Sequence, residues 1–205
     1  MTAIIDYEAG NLASVQRACK EVGLDARLCA DPDALRKASR VIFPGVGAAG
    51  SAMASLCKHG LDEALHEVIR NGVPVLGICL GMQFFLDHSA EQDTPTLGLI
   101  AGTVERFDFA NASLKVPHMG WNNLLDCAAH PVLADIQAED EFYFVHSYYA
   151  DPEDSAMVLA RAEYERTFAT AIGRDNFIGT QFHPEKSGRV GLRLIANFAQ
   201  WEGSC

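Results

Sequence analysis

The sequence predicts an α/β fold: a mostly parallel central sheet with helices on both faces, and an antiparallel extension from the second half of the chain. Three observations carry that expectation. Short apolar runs alternate with helix-period segments over the first half of the chain, the rhythm of βαβ units. The run Val73 to Leu76 meets Gly77-Ile78-Cys79-Leu80-Gly81, a strand that turns sharply at a cysteine and restarts as a helix. From Leu97 onward the pattern shifts to strands separated by turns.

In chain order, Ala3 to Tyr7 reads as a buried strand. Asn11 is placed to cap a helix that carries Leu12, Val15, Cys19 and Val22 on one face and stops at Gly23. Ala26 to Cys29 gives a second strand, and Val41-Ile42-Phe43 a third that breaks at Pro44-Gly45-Val46-Gly47. A long helical region from about Ser51 to Arg70 ends at Asn71-Gly72, and Val73 to Ile78 is the fourth strand. Such alternation places functional residues at the carboxyl ends of strands. In the second half, Leu97 to Phe109 and Trp121 to Leu125 read as strands, and Phe142 to Tyr149 is expected to pair antiparallel with Ala156 to Ala162. A last helix from Val190 to Trp201 places Leu194, Ile195, Phe198 and Trp201 on one core-facing stripe.

Composition narrows the function classes. At 205 residues, 49% apolar and 21% charged, the chain suits one domain over 1–205 with a full core. A net charge of -11 and the lack of any basic run exclude a phosphate-backbone binder, so no nucleic-acid partner is expected. The longest apolar stretch, Val73 to Leu86, is broken by Pro74, Gly77, Gly81 and Gln83 and is too short to span a membrane. The N-terminus lacks the charged and apolar regions of a signal peptide. Six cysteines, at 19, 29, 57, 79, 127 and 205, form no Cys-x-x-Cys pair, so reduced thiols and a cytoplasmic location are expected. No repeat, low-complexity tract or linker interrupts the chain.

Cys79 is the candidate nucleophile. Glycines near it allow unusual backbone angles and clear space around the sulfur, while the following helix aims N–H groups and its positive end at it, favouring thiolate. Far along the chain, Gln181-Phe182-His183-Pro184-Glu185 supplies the base. Pro184 biases His183 toward an extended backbone, where residues i and i+2 share a face, so Glu185 can hold the imidazole while His183 faces the sulfur. A lone strand-end cysteine is usually a small buried hydrophobe and a lone histidine is usually structural. The joint pattern is what points to a nucleophile, a base and an orienting acid. Pro44-Gly45-Val46-Gly47 would alone be an ordinary tight turn; beside such a cysteine it becomes a candidate oxyanion hole. A phosphate-binding loop is the competing idea, but no Lys-Ser/Thr pair follows the glycines. Gln83 lies one helical turn beyond Cys79, on the same face.

Gly77-Ile78-Cys79-Leu80-Gly81-Met82-Gln83 and Gln181-Phe182-His183-Pro184-Glu185-Lys186-Ser187 resemble the signatures of class I, or triad-type, glutamine amidotransferases. Four further stretches agree: Ile4-Ile5-Asp6-Tyr7 leading to Gly10-Asn11-Leu12, Pro44-Gly45-Val46-Gly47, Val116-Pro117-His118-Met119-Gly120-Trp121-Asn122, and Tyr143-Phe144-Val145-His146-Ser147-Tyr148. They narrow the resemblance, which runs from Ile4 to about Phe198, to the branch that supplies ammonia in histidine biosynthesis. The resemblance implies hydrolysis of the glutamine side-chain amide by Cys79, His183 and Glu185. It also implies oxyanion donors at Val46 or Gly47 and at Leu80, substrate contacts from Gln83, Ser147 and Tyr148, and no metal or organic cofactor. A separate cyclase subunit, a (β/α)8 barrel, is the implied heterodimer partner, with Lys186 at the subunit interface. Met119 and Trp121 read either as core or, on a Pro-His-Met-Gly loop, as docking residues, and the second is preferred because exposed aromatic and Met residues mark interfaces; His146 reads as structural.

Glu8 and Glu165 depart from the pattern, since the family usually has glycine at both positions. Within the fold, the alternatives are service to a pyridoxal phosphate or purine synthase, or hydrolysis of a γ-glutamyl peptide; the loop around Trp121 argues against them. A binding or chaperone module that keeps only the elbow is the alternative of another class. Retention of His183 and Glu185 argues against that one.

Overall fold

The computed structural model of the chain describes residues 1–8, 10–109 and 115–204. Its first half alternates β1 (Thr2–Ile5), α1 (Leu12–Glu21), β2 (Ala26–Cys29), α2 (Pro32–Leu35), β3 (Arg40–Gly45), α3 (Ala49–Lys58), α4 (Leu61–Arg70), β4 (Val75–Cys79) and α5 (Leu80–Gln83). Short strands β5 (His88–Ser89) and β6 (Thr94–Pro95) lead to β7 (Gly102–Arg106), β8 (His118–Asn123), β9 (Asp126–Cys127), β10 (Glu141–His146) and β11 (Tyr148–Pro152). The chain closes with β12 (Val158–Tyr164), β13 (Arg166–Arg174), β14 (Phe177–Thr180) and α6 (Gly188–Gln200).

Strands β2, β1, β3, β4 and β14 lie side by side and parallel, and β13, β11 and β7 continue the same sheet antiparallel. Strands β8 and β10 form a separate antiparallel pair. The parallel strands β1 and β4 are buried along their whole length because helices cover both faces. Successive side chains point to opposite faces. Phe43 and Val75 thus join Leu56, Leu61 and Leu65 of α3 and α4, while Ile42 and Leu76 join Val15 of α1 and Leu194 and Phe198 of α6. Each such Leu, Ile or Phe contributes about 1.5–3 kcal/mol through burial. The two cores fix the height of β4, and so the position of Cys79 at its end.

Some expectations change. The single helix expected from Ser51 to Arg70 is two, because Gly60 takes a left-handed φ of 66° after α3 and lets α4 start in a new direction. Phe142–Tyr149 does not pair with Ala156–Ala162. That segment breaks at Ser147, sending β10 to β8 and β11 to β7 and β13, while β12 pairs with β13 in a hairpin closed at Glu165. Strand β13 escaped the sequence reading because Phe168 to Gly173 is buried on both sides and shows no alternation. The strand expected from Leu97 covers only Gly102–Arg106, and the one expected from Trp121 starts at His118.

Glu8 and Glu165 both occupy left-handed backbone, with φ of 70° and 61°. That conformation costs a residue with a Cβ roughly 1–2 kcal/mol, and glycine avoids it. Nothing in the structure explains why glutamate stands at either position. Glu8→Gly is therefore expected to stabilise the fold by roughly 0.5–1 kcal/mol after glycine's own entropic cost. A urea midpoint that rises at constant m would bear this out; an unchanged or lower midpoint would show the turn carries no strain.

Candidate active site

Strand β4 delivers Cys79 beside Gly45 of β3, with φ 55° and ψ -111°, outside both helix and strand. Such a conformation costs of order 1–3 kcal/mol and persists only where packing enforces it. Here the glycines are what permit the packing. A Cβ on Gly81 would lie 1.9 Å from the Phe43 carbonyl oxygen, and one on Gly77 would lie 2.8 Å from the Phe85 ring. Helix α5 is a single turn, so it offers Cys79 free N–H groups at its start more than a long dipole. Gly45 is equally confined, because a Cβ there would meet Gly81 N at 2.7 Å and Tyr7 Oη at 2.9 Å. Tyr7 Oη donates to Pro44 O at 3.0 Å, which fixes the entry to Val46 and Gly47. Burial, and then the nearby charge of Cys79, raise the Tyr7 phenol far above its ordinary range, so it stays a neutral donor.

His183 follows β14 in extended backbone, with φ -99° and ψ 94°, as the proline after it dictates. The chain does not stay extended through Glu185, however. Pro184 opens a 3-10 turn, Pro184–Lys186, because its fixed φ and missing N–H suit a first helical position. Lys186 N and Ser187 Oγ both donate to His183 O, at 3.0 and 2.7 Å, and close that turn. Glu185 still reaches back, its Oε1 lying 2.8 Å from His183 Nδ1, with side chains 0% and 1% exposed respectively.

Asn11 Nδ2 donates to the same Oε1 at 2.5 Å. Asn11 precedes α1 at φ 71° but makes no side-chain cap bond to it, so its amide serves the carboxylate rather than the helix expected from sequence. Sequence reasoning missed that contact; an asparagine after Gly10 in a left-handed turn was the only local signal. A carboxylate can only accept, so His183 carries its proton on Nδ1 and turns Nε2 toward the cavity it shares with Cys79. Nε2 is buried and has no partner in hydrogen-bond geometry among the described residues, and Cys79 is the group that acts on it most strongly. Burial alone would lower the imidazole pKa; the charge of Cys79 and hydrogen bonding to it, and then the Glu185 contact, outweigh it and raise it to about 10.

A cavity of about 320 Å³ opens over the sulfur, within the range of small-ligand sites. Val46, Gly47 and Leu80 line it beside Cys79, and Gln83, Ser147 and Tyr148 line it around them. Glu185 lies behind His183 instead. Lys186, expected at a partner surface, also lines the cavity. Met119 and Trp121 sit outside it on β8, 62% and 53% exposed, with Leu125 beside them at 57%. Glu91 was not singled out from sequence, and no motif marks it. It is the one carboxylate among the described lining residues, and its Oε2 accepts from Ala49 N at 2.9 Å. Among the described residues no three His, Cys, Asp or Glu side chains gather as a metal site. No helix there is long and apolar enough to cross a membrane.

At the cavity wall, His146 Nδ1 lies 2.8 Å from Tyr148 O, and His146 Nε2 lies 3.0 Å from His118 Nδ1. His118 is stacked between the rings of Phe144 and Tyr164. Burial lowers His118 and His130 to about 4, and burial chiefly lowers His146 to about 3. These folded-state values lie below the ordinary imidazole value, so their contribution to stability is complete above about pH 6.5 and is lost as pH falls toward 4. The urea midpoint is accordingly expected to be lower at pH 5 than at pH 7, with the difference reduced in His130→Phe. Equal midpoints at the two pH values would mean these rings can charge in place.

Residues 3–201 match the family model described as glutamine amidotransferase class-I, and the chain belongs to that family. Relatives named imidazole glycerol phosphate synthase subunit HisH are similar along nearly their whole length. The relative from Desulfovibrio desulfuricans is 50% identical over 98% of this chain and 94% of its own, and that from Chromobacterium violaceum is 46% identical over 98% of each. A solved structure described as a glutamine amidotransferase aligns with TM-score 0.75 at 18% identity, covering 98% of this chain and 99% of the other. PurLQS from Thermotoga maritima aligns with TM-score 0.74 at 17% identity over 96% of each. These two likenesses show the fold, which the differing sequences have kept.

Proposed function

We propose that this chain is the glutaminase subunit of imidazole glycerol phosphate synthase. It hydrolyses glutamine to glutamate and ammonia and passes the ammonia to a cyclase subunit that forms imidazole glycerol phosphate and aminoimidazole carboxamide ribotide in histidine biosynthesis. The observation that carries this reading is one cavity holding Cys79, on a strained elbow, and His183, held through Nδ1 by a fully buried Glu185. Identity of 50% to a HisH subunit over nearly the whole chain supports the pathway assignment.

In this reading Cys79, as thiolate paired with the His183 imidazolium, attacks the amide carbon of glutamine. Negative charge gathers on the carbonyl oxygen, where the N–H groups of Leu80 and of Val46 or Gly47 receive it. The tetrahedral adduct collapses as His183 Nε2 gives its proton to the departing ammonia, leaving a glutamyl thioester on the sulfur. His183, now neutral, takes a proton from water, whose oxygen attacks the thioester and releases glutamate and the thiolate. Glu185 keeps the imidazole in the Nδ1–H form throughout. Glu91 is the cavity's only described carboxylate and suits the α-ammonium of the substrate; Gln83 and the backbone of Ser147 and Tyr148 suit its amino-acid end. No step calls for a metal or organic cofactor.

The partner face is built on β8. Trp121 packs edge-on against Tyr143 of β10 at 5.9 Å, and Tyr143 O accepts the His183 backbone N–H at 3.0 Å. Exposed Met119 and Trp121 have the composition of an interface core, and Lys186 lies 6.0 Å from the Tyr143 ring. The assembled enzyme is a cytoplasmic heterodimer. Trp121→Ala should weaken binding to the cyclase subunit by roughly tenfold or more, as buried aromatic anchors do, while leaving the free chain's melting curve unchanged. Mixing the purified chain with that subunit should yield product from glutamine. Product from added ammonia alone, with glutamine inert, would reject the glutaminase assignment.

A further inference from the structure

A line of buried side chains running from the cavity wall has its hydrogen-bond directions set by one backbone carbonyl. Tyr148 O, which can only accept, is met by Gln83 Nε2 at 3.0 Å and His146 Nδ1 at 2.8 Å, so both of its lone pairs are taken. The Gln83 atom facing that carbonyl must therefore be the amide nitrogen. Its second hydrogen points to Gln181 Oε1, 3.0 Å away, so the carbonyl end of the Gln181 amide faces Gln83. The other end, Nε2, is then obliged to face Cys79 Sγ, at 3.6 Å. Gln181 is completely buried, which keeps its amide out of contact with bulk solvent. An N–H aimed at sulfur is weak toward a thiol and stronger toward a thiolate, because a charged acceptor roughly doubles the strength of such a bond.

We propose that Gln181 is a positioning residue that holds the Cys79 sulfur and favours its thiolate by donating an N–H to it, its amide being oriented through Gln83 by the Tyr148 carbonyl. The inference rests on Cys79 being the nucleophile of the proposed reaction. It assigns Gln83 a task besides substrate contact: the amide beside the substrate's amino-acid end also sets the donor at the sulfur, so Ser147-Tyr148 and the nucleophile are mechanically joined. Gln83 Oε1 remains free to accept from the substrate without disturbing the relay.

The test is the pH dependence of Cys79 alkylation by iodoacetamide, followed on the Cys79 peptide by mass spectrometry in the intact chain. Only thiolate reacts, and the half-point reports the coupled Cys79–His183 pair. Gln181→Met, similar in shape but without a donor, should move the half-point up by about one pH unit and lower glutaminase kcat about tenfold with KM changed little. Gln83→Leu should shift the alkylation profile in the same direction by less, since it frees Gln181 to turn rather than removing its donor. A packing role would leave the profile where it is, so a Gln181→Met profile superimposed on the unaltered protein's overturns the proposal. Should Gln181→Met fail to fold, Gln181→Glu keeps the acceptor toward Gln83 and replaces the donor at sulfur with oxygen; an unshifted profile there overturns it equally. Full glutamine turnover by Cys79→Ser would instead reject the nucleophile reading itself, a separate failure.

Discussion

Cys79→Ser is expected to abolish glutamine hydrolysis, by at least about ten-thousandfold, while the complex still forms product from added ammonia. A serine hydroxyl on the same elbow cannot ionise beside His183 as a thiol can, and in the proposed assignment the cyclase chemistry belongs to the other chain. The partners of Cys79 should rank below it in a defined order. His183→Ala removes both the imidazolium and the proton carrier, whereas Glu185→Gln leaves the base in place. Because Asn11 and His183 Nδ1 already donate to one oxygen of Glu185, a glutamine amide can present its own oxygen to both and keep the tautomer. Glu185→Gln should then cost less than the roughly ten-thousandfold that goes with a wrong tautomer, and less than His183→Ala. The opposite order, measured as glutamate release at saturating glutamine, would mean that base and orienting acid are misassigned.

The second large effect concerns the partner. The isolated chain should be a poor glutaminase, and binding the liganded cyclase subunit should raise kcat by a hundredfold or more, about what one oxyanion donor contributes. Gly47 sits at φ 99° with open space where a Cβ would be, so the Val46–Gly47 peptide has room to turn its N–H toward or away from the sulfur. A contact line runs from exposed Trp121 through Tyr143 to the His183 backbone, so a partner docked on the proposed face can bias that local equilibrium. A subunit that released ammonia unpartnered would waste glutamine. Rates agreeing within about twofold for the free chain, the complex and the liganded complex, far below one donor's effect, would show that no gate exists.

Much of the fold and of the geometry around Cys79 and His183 was legible in the sequence because the signals were local. The glycines around Cys79 exist for a turn whose packing leaves no room for a Cβ, and a Pro after His183 sets its backbone; both constraints act within a few residues. The βαβ half of the fold was legible for the same reason, as alternating apolar runs. What the sequence hid depends on tertiary contact. Strand β13 has no alternation because both its faces are covered, and its pairing with β12 and β11 is decided by the sheet. Asn11 meets Glu185 from the far end of the chain, and Glu91 enters the cavity from a loop with no motif. The Gln181 donor is fixed by a carbonyl on another strand, which no spacing rule reaches.

The most direct test of the central claim is to treat the chain with an electrophilic glutamine analogue carrying a chloroketone in place of the side-chain amide, then map the adduct by peptide mass spectrometry. The account predicts one adduct, on Cys79, formed faster in the presence of the cyclase subunit, suppressed by excess glutamine and absent from Cys79→Ser. Labelling confined to the exposed Cys57 or Cys127, or labelling of Cys79 that glutamine does not protect, would contradict it.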